Sequence, residues 1–453
     1  MNSTAGFPWL PPDIYSLEFT NCTLAGEWAA VYWRSETDYP LFALVDLVRN
    51  GLSPWLTRNN LTPPTDGDVM KWIMDYGIIL DDYTGPWPLW YLINEYAATS
   101  CLDEVCPRIG WQGNSDLAGR GMLVNYILQA ALAMLYWTAL SLDQMSWISR
   151  YLRTSEATKR ILTALQHSTR VFLDGAVIFT SAMLLAAAFT FTQAVSDSTV
   201  PLPLYSALIT AYLSLYSIIP TSLIYLVASA KLRRTRARII IWGFMAFLAA
   251  LVASLWFALM NAPGFWTSGK FSEEKAFKDP EHQYIFDFFC MNQGEFNGFK
   301  KAFYSLLGVI GNLFISALAK AFLNPDYQNW SPKVAQRIRQ TLQYFRIVTN
   351  LSCCLSTWAF LGIYLRYRRV LFGNRAGITN KEKDFSFGQV LALSTWIPVI
   401  IEFAYIYCKG PREALTGKIM APFYVVSSKD TEDLQFEKEH RHELLRVTEE
   451  QGE

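Results

Sequence analysis

Residues 239–260 read IIIWGFMAFLAALVASLWFALM, 22 residues without a charge. A bilayer core needs about 20 apolar residues per helix. A helix apolar all round is either a membrane span or the buried core of a large protein, and 22 residues without a charge favour the span. The run therefore reads as a membrane span, and the chain on either side repeats the pattern. Six more blocks qualify: Gly121–Leu142, Val171–Val195, Leu204–Ala230, Ala302–Leu323, Ile347–Leu365 and Phe387–Cys408. The expected fold is all-α: a polytopic membrane bundle of about seven transmembrane helices (121–408). A small external helical domain (1–120) precedes it and a charged tail (409–453) follows.

Composition agrees. Charged residues are 17% of the 453, against about 25% in an ordinary soluble protein. Lys+Arg and Asp+Glu both number 39, so nothing marks a nucleic-acid surface. Aromatics at 15% exclude a disordered chain. Four His and seven Cys are too few and too scattered for a zinc-rich or disulfide-dense scaffold.

Orientation follows from Lys and Arg near the span ends. Arg150, Arg153, Lys159, Arg160 and Arg170 follow the first span. Residues 231–238 (KLRRTRAR) follow the third, and Lys333, Arg337, Arg339 and Arg346 the fifth. Residues 196–203, between the second and third, hold no Lys or Arg. The N-terminus is thus expected outside or in the lumen, of the plasma membrane or an endomembrane, and the C-terminus in the cytosol. One loop conflicts: residues 366–386 carry Arg366, Arg368, Arg369, Arg375, Lys381 and Lys383, yet seven crossings put them outside.

Met1–Leu10 lacks the basic start and long apolar run of a signal peptide, so the first span is expected to carry residues 1–120 across. Sequons at Asn2, Asn21 and Asn60 make this segment the expected glycosylated part. Eight of the sixteen Trp fall in it. They read as packing the core of a helical cap or sitting at the membrane interface, with an aromatic ligand pocket as the sharper alternative. Cys22, Cys101, Cys106 and Cys290 are all external in this topology, with Cys101–Cys106 and Cys22–Cys290 the favoured pairs. Pro411 is expected to stop the last span, and residues 431–449 mix both charges as a solvated helix does.

Asp174, Lys320 and Glu402 stand inside spans, where ionisable groups are costly and are functional candidates. At 1.5 Å per residue Asp174 lies about 5 Å and Glu402 about 9 Å from the cytosolic face. Lys320 lies about one turn from the same face, so the three are expected to cluster there. Pro398 frees a carbonyl near Glu402. Asn125, Gln129, Asn312 and Asn350 read as interhelical hydrogen-bonding groups. No Walker A, GxGxxG, HExxH, GxSxG or paired CxxC motif occurs, so no catalytic residue, cofactor or metal is assigned.

Two stretches carry a resemblance: WQGNSDLAGRG at 111–121 and FGQVLALSTWIP at 387–398. They resemble a family of filamentous-fungal multipass membrane proteins in which a Cys-bearing outer segment runs through Trp-x-Gly-Asn-x-Asp-x-Ala-Gly into the first helix. An FGQ-L-AL-W-P run opens the last helix of that family. Arg120 stands where an apolar residue is expected. The resemblance implies a seven-helix membrane protein, some relatives of which sit beside genes for secondary metabolism. It implies no activity. Asp116 is expected to cap the first helix.

Four functions fit these observations. A receptor-like protein matches seven spans with a glycosylated cap, though Asp-Arg-Tyr and Asn-Pro-x-x-Tyr signatures are missing. A transporter or channel would use Glu402 and Asp174. A membrane enzyme of the terpene-cyclase kind would use intramembrane carboxylates as acids, but the large outer segment has no place in it. An accessory scaffold would need no chemistry. The partners implied are the lipid bilayer and a small-molecule ligand.

Overall fold

A computed structural model describes residues 11–33, 40–75, 88–111, 113–144, 155–196, 204–228, 236–261, 290, 293–322, 332–372 and 381–416. Among these residues every regular element is helical. The N-terminal helices are α1 (Cys22–Tyr32), α2 (Leu41–Arg58), α3 (Asp66–Asp75), α4 (Pro88–Ser100) and α5 (Leu102–Ile109). A single turn, α6 (Ser115–Ala118), leads into α7 (Arg120–Gln144). Then come α8 (Glu156–Ser196), α9 (Leu204–Tyr216), α10 (Ile218–Ala228), α11 (Arg236–Asn261), α12 (Gln293–Phe322) and α13 (Pro332–Phe372). The chain continues through α14 (Phe387–Ser394), α15 (Ile397–Lys409) and α16 (Pro411–Thr416).

Six helical stretches are long and apolar enough to cross a membrane: Ser115–Leu142, Glu156–Ser196, Tyr205–Ala228, Ile240–Leu259, Ile347–Val370 and Phe387–Lys409. They mark the chain as an integral membrane protein. The block Ala302–Leu323, expected as a seventh, lies on α12 but is not among the six. The α9–α10 stretch is the axis of the bundle, because its whole apolar window is buried. Around it pack α7, α8, α12 and α13.

Two expected spans are each split into two helices, and proline explains both splits. Proline has no N–H and its ring displaces the carbonyl four residues back. Pro220 acts on Tyr216, where α9 ends, and Pro398 acts on Ser394, where α14 ends. The last span does not stop at Pro411, as its sequence suggested. Gly410 ends it at φ +84°, a conformation that favours glycine. Pro411 opens α16 instead, since a first helical turn needs no N–H.

Among the N-terminal helices α1 packs against α2, α4 and α5, and their buried side chains are continuous with the core of the bundle. Trp28, Trp33, Trp72 and Trp111 are all buried there, so these indoles pack the interior. Trp9 and Trp87, the sequon Asn2, residues 431–449 and the side chain of Lys320 lie outside the described residues.

The four paired cysteines correct the expected connectivity. The bridges are Cys22–Cys101 and Cys106–Cys290. Cys101 caps α5 and Cys106 lies on it. Five residues of helix rise about 7.5 Å, beyond the usual Cα separation of a disulfide, so the two cysteines bond in different directions. The first bridge closes α1 onto the start of α5. The second ties α5 to the segment before α12.

Candidate functional site

Polar side chains gather at three levels of the bundle. The uppermost lies where the two quoted stretches meet. Asn114 caps α6 by accepting from the N–H groups of Asp116 and Leu117 at 3.1 and 3.2 Å. The cap is therefore Asn114 and not Asp116, whose carboxylate accepts the Ser386 hydroxyl at 2.6 Å. Ser386 in turn caps α14. Gln389 lies wholly buried between the first and last spans. Its Oε1 accepts from the Gly121 N–H at 2.8 Å, and its Nε2 donates to the carbonyls of Ser115 at 2.6 Å and Asp384 at 3.2 Å. A Cβ on Gly119 or Gly121 would collide with this amide, which explains the glycines on either side of Arg120.

Glu382 sits beside this joint. It is 1% exposed and pairs with Arg368 at 3.5 Å. Burial pushes its carboxyl up to about 8, against the opposing pull of Arg368 and the Asn114 backbone N–H. A Cβ on Gly113 would press on both Trp111 and the Glu382 side chain. Residues 366–372 of the expected basic loop belong to α13, and Glu382 lies against the start of the first span, at the same end of the bundle as Trp111 and Tyr205, whose rings meet edge-on at 5.5 Å.

The middle level joins the two helix breaks to α7. Asn125 Oδ1 accepts from Trp396 Nε1 at the break in the last span. One turn further, Gln129 Nε2 donates to the Ser217 carbonyl at 3.3 Å and to Thr221 Oγ1 at 3.2 Å. The same carbonyl, at the break in the central span, accepts from Thr180 and Thr221 at 3.0 Å each. Trp396 lies against Phe172 and Phe179 of α8. Neutral amides and hydroxyls here satisfy backbone groups that hydrocarbon cannot.

The lowest level contains Glu402. It belongs to the buried stripe of α15 with Val399 and Ile406. Its carboxyl lies near the Tyr136 phenol, which bonds to Ser168 at 2.7 Å. Asp174 does not join it. Asp174 is 54% exposed and pairs with Arg170 of its own helix at 3.8 Å. The register explains the separation. Gly175 of α8 faces Thr395 and Val399, and Ala164 faces Ile406 and Ala414, which levels Glu402 with Ser168 and puts Asp174 nearer the break. Asp174 also lies on the exposed stripe of α8 with Ile178 and Phe189. The expected cluster of Asp174 and Glu402 is therefore not formed.

Of the sequons, Asn60 is exposed at a left-handed turn after α2, and Asn21 caps α1 through its Oδ1. Among the described residues no three His, Cys, Asp or Glu are grouped as a metal site would need. The roles of Gln389, Glu382, Trp396 and Ser217 were not evident from sequence, where Pro398 was read only as freeing a carbonyl near Glu402. No protein-family profile, curated protein or solved structure matches the chain.

Proposed function

We propose that the chain is a seven-span receptor-like membrane protein, with residues 1–120 on the outer or lumenal side and the tail in the cytosol. The observation that carries this is the Gln389 joint. It ties the foot of the N-terminal helices to the first and last spans at once, and the first span then holds both helix breaks through Asn125 and Gln129. A movement of the outer helices therefore reaches both broken spans through one helix. A small-molecule ligand on the outer side would act on this path, while the aromatic packing between the helices suits a signal better than a pore.

Seven crossings are favoured by the ends that meet. Cys290 before α12 and Ser386 before α14 lie against α5 and α6, and Arg368 late in α13 pairs with Glu382, which accepts from the Asn114 backbone N–H between those helices. A chain that leaves this end at α12 and is back at it by Arg368 crosses twice between. The same contacts accommodate the basic segment on the outer side, where the carboxyl and backbone carbonyl of Glu382 receive the Arg368 guanidinium. Glycosylation at Asn2, Asn21 and Asn60, and an accessory role in fungal secondary metabolism, follow from the sequons and from the family resemblance of 111–121 and 387–398.

An N-terminal tag should be reachable only from the outer or lumenal side, and glycosidase should increase mobility on a gel. Access of that tag from the cytosol would reject the topology. A transporter is the second reading, favoured by Glu402 on a packed helix face. Purified protein in vesicles should carry no solute or proton current if it is receptor-like. A flux abolished by Glu402→Gln would replace the receptor by the transporter.

A further inference from the structure

Asn125 and Gln129 each have one amide atom used and one left over. Both side chains are wholly buried, and Asn125 Nδ2 and Gln129 Oε1 have no hydrogen-bond partner. Neither amide can be turned round to remove the problem. Rotating Asn125 would aim its NH₂ at the Trp396 N–H, donor against donor. Rotating Gln129 would set its oxygen against the Ser217 carbonyl, acceptor against acceptor. The network therefore leaves a donor and an acceptor, one helical turn apart on the same face of α7. Leaving either unsatisfied in this interior is costly.

We propose that the space between these two amides is a binding site for a small neutral molecule that accepts from Asn125 Nδ2 and donates to Gln129 Oε1, and that the occupant is water. The spacing fits. The Cβ atoms of residues one turn apart are about 5–6 Å apart, and a water making two hydrogen bonds of about 2.9 Å bridges polar atoms up to that separation. The chemistry excludes ions. Asn125 turns the positive end of its amide into the site, which repels a cation. Gln129 turns an oxygen into it, which repels an anion. The surrounding groups Thr180, Ser217 and Thr221 are neutral. The site lies between the two helix breaks, so its occupant joins the Trp396 bend to the Ser217 bend. The inference holds for a receptor and for a transporter alike.

X-ray hydroxyl-radical footprinting of the intact protein in bilayers tests it, because radiolysis of a bound water oxidises side chains beside it even where bulk solvent has no access. Trp396 and Trp72 are equally buried indoles at 0% exposure. Trp396 should be oxidised several-fold faster than Trp72, and Gln129→Met should bring it down to the Trp72 rate. Equal rates in the unmodified protein would overturn the proposal, as would labelling of Trp396 that Gln129→Met leaves unchanged. Labelling that changes when sodium is replaced by choline would assign the site to an ion and equally reject water. If Gln129→Met does not fold, a map of the native protein that resolves ordered water decides the matter by density, or its absence, between the two amides.

Discussion

The central span and the last span are broken by the same device, a proline four residues past the break, yet they are repaired in opposite ways. The apolar window of the central span is 100% buried, that of the last span 22%. At the central break the Ser217 carbonyl is satisfied by neighbours: Gln129 of α7, Thr180 of α8 and Thr221 of the next turn. At the peripheral break the chain satisfies itself. Ser394 and Thr395 donate their hydroxyls to the carbonyls of Leu391 and Ala392 at 2.6 and 2.7 Å. A helix with lipid on one side has few neighbours to borrow donors from, so its own side chains must serve. From outside, Trp396 bonds to Asn125 of α7 and lies against Phe172 and Phe179 of α8. The central break is thus a tertiary structure and the peripheral one largely local.

The largest effect should come from removing the Trp396 side chain. Trp396→Ala deletes a wholly buried ring that lies 5.6 Å from Phe172 and 6.1 Å from Phe179. A loss of about 4 kcal/mol is expected, seen as a marked fall in melting temperature in detergent. Trp396→Phe keeps the ring contacts and loses the N–H to Asn125, so it should cost about 1–2 kcal/mol. If the two variants behave alike, the hydrogen bond rather than the ring holds the last span in place.

The next effect depends on pH and concerns the joint above the last span. Glu382 faces Arg368 and the Tyr364 phenol from α13, and the Asn114 backbone N–H from the other side. Its folded carboxyl titrates at about 8, against an ordinary 4.5. The folded state therefore holds a proton that the unfolded chain has already lost across this window. Stability contributed by this group is complete below 4.5 and is lost as pH rises through 8. The melting temperature should fall over that range, and Glu382→Gln, always neutral, should flatten the slope. A slope that survives the substitution would place the titration elsewhere.

The central break gives a smaller but more pointed contrast. Gln129→Leu strips two donations from the Ser217 region and should cost about 2–3 kcal/mol. Thr395→Val removes one local hydroxyl at the peripheral break, where the backbone also closes through Trp396 N–H to the Leu393 carbonyl at 3.2 Å. It should cost about 1 kcal/mol or less. Equal losses would erase the distinction between a tertiary break and a local one.

How much of this was legible in sequence depended on range. The apolar runs are local, and the six candidate spans fall on six of the seven blocks read from them. Both prolines were visible, and each break lies where its ring displaces a carbonyl. Asn125 and Gln129 stood out as polar groups in a span, but their partners were hidden because Trp396 is 271 residues away and Ser217 88. Glu382 looked like one more charge in a basic loop. Its burial is made by Trp111 and Gly113, far away in the chain. The disulfides were misassigned because Cys101 and Cys106 are close in sequence but pushed apart by the helix between them. Asp174 and Glu402 were placed at one depth from their own helix ends, and only the packing of α8 on α15 separates their levels.

That separation gives the smallest expected effect. Asp174 and Arg170 are 54% and 73% exposed, an i,i+4 pair at 3.8 Å. Such pairs contribute about 0–1 kcal/mol, and each charge can reach the headgroup region by extending along the helix. Asp174→Asn should leave melting temperature and expression within error. Glu402, by contrast, faces Tyr136 and the buried side of α8, where replacement by an apolar side chain leaves polar neighbours unmatched. Glu402→Leu should therefore cost about 1–3 kcal/mol, and Glu402→Gln, which keeps shape and hydrogen-bonding atoms, much less. The double variant Asp174→Asn, Glu402→Leu separates the two ideas about this end of the bundle. If the carboxylates act apart, as the packing of α8 on α15 requires, the double variant should match Glu402→Leu alone, because independent sites add and one of the two terms is near zero. A double variant much more or much less stable than that sum would mean that the two carboxylates share a partner after all, and the cluster expected from their depths would return.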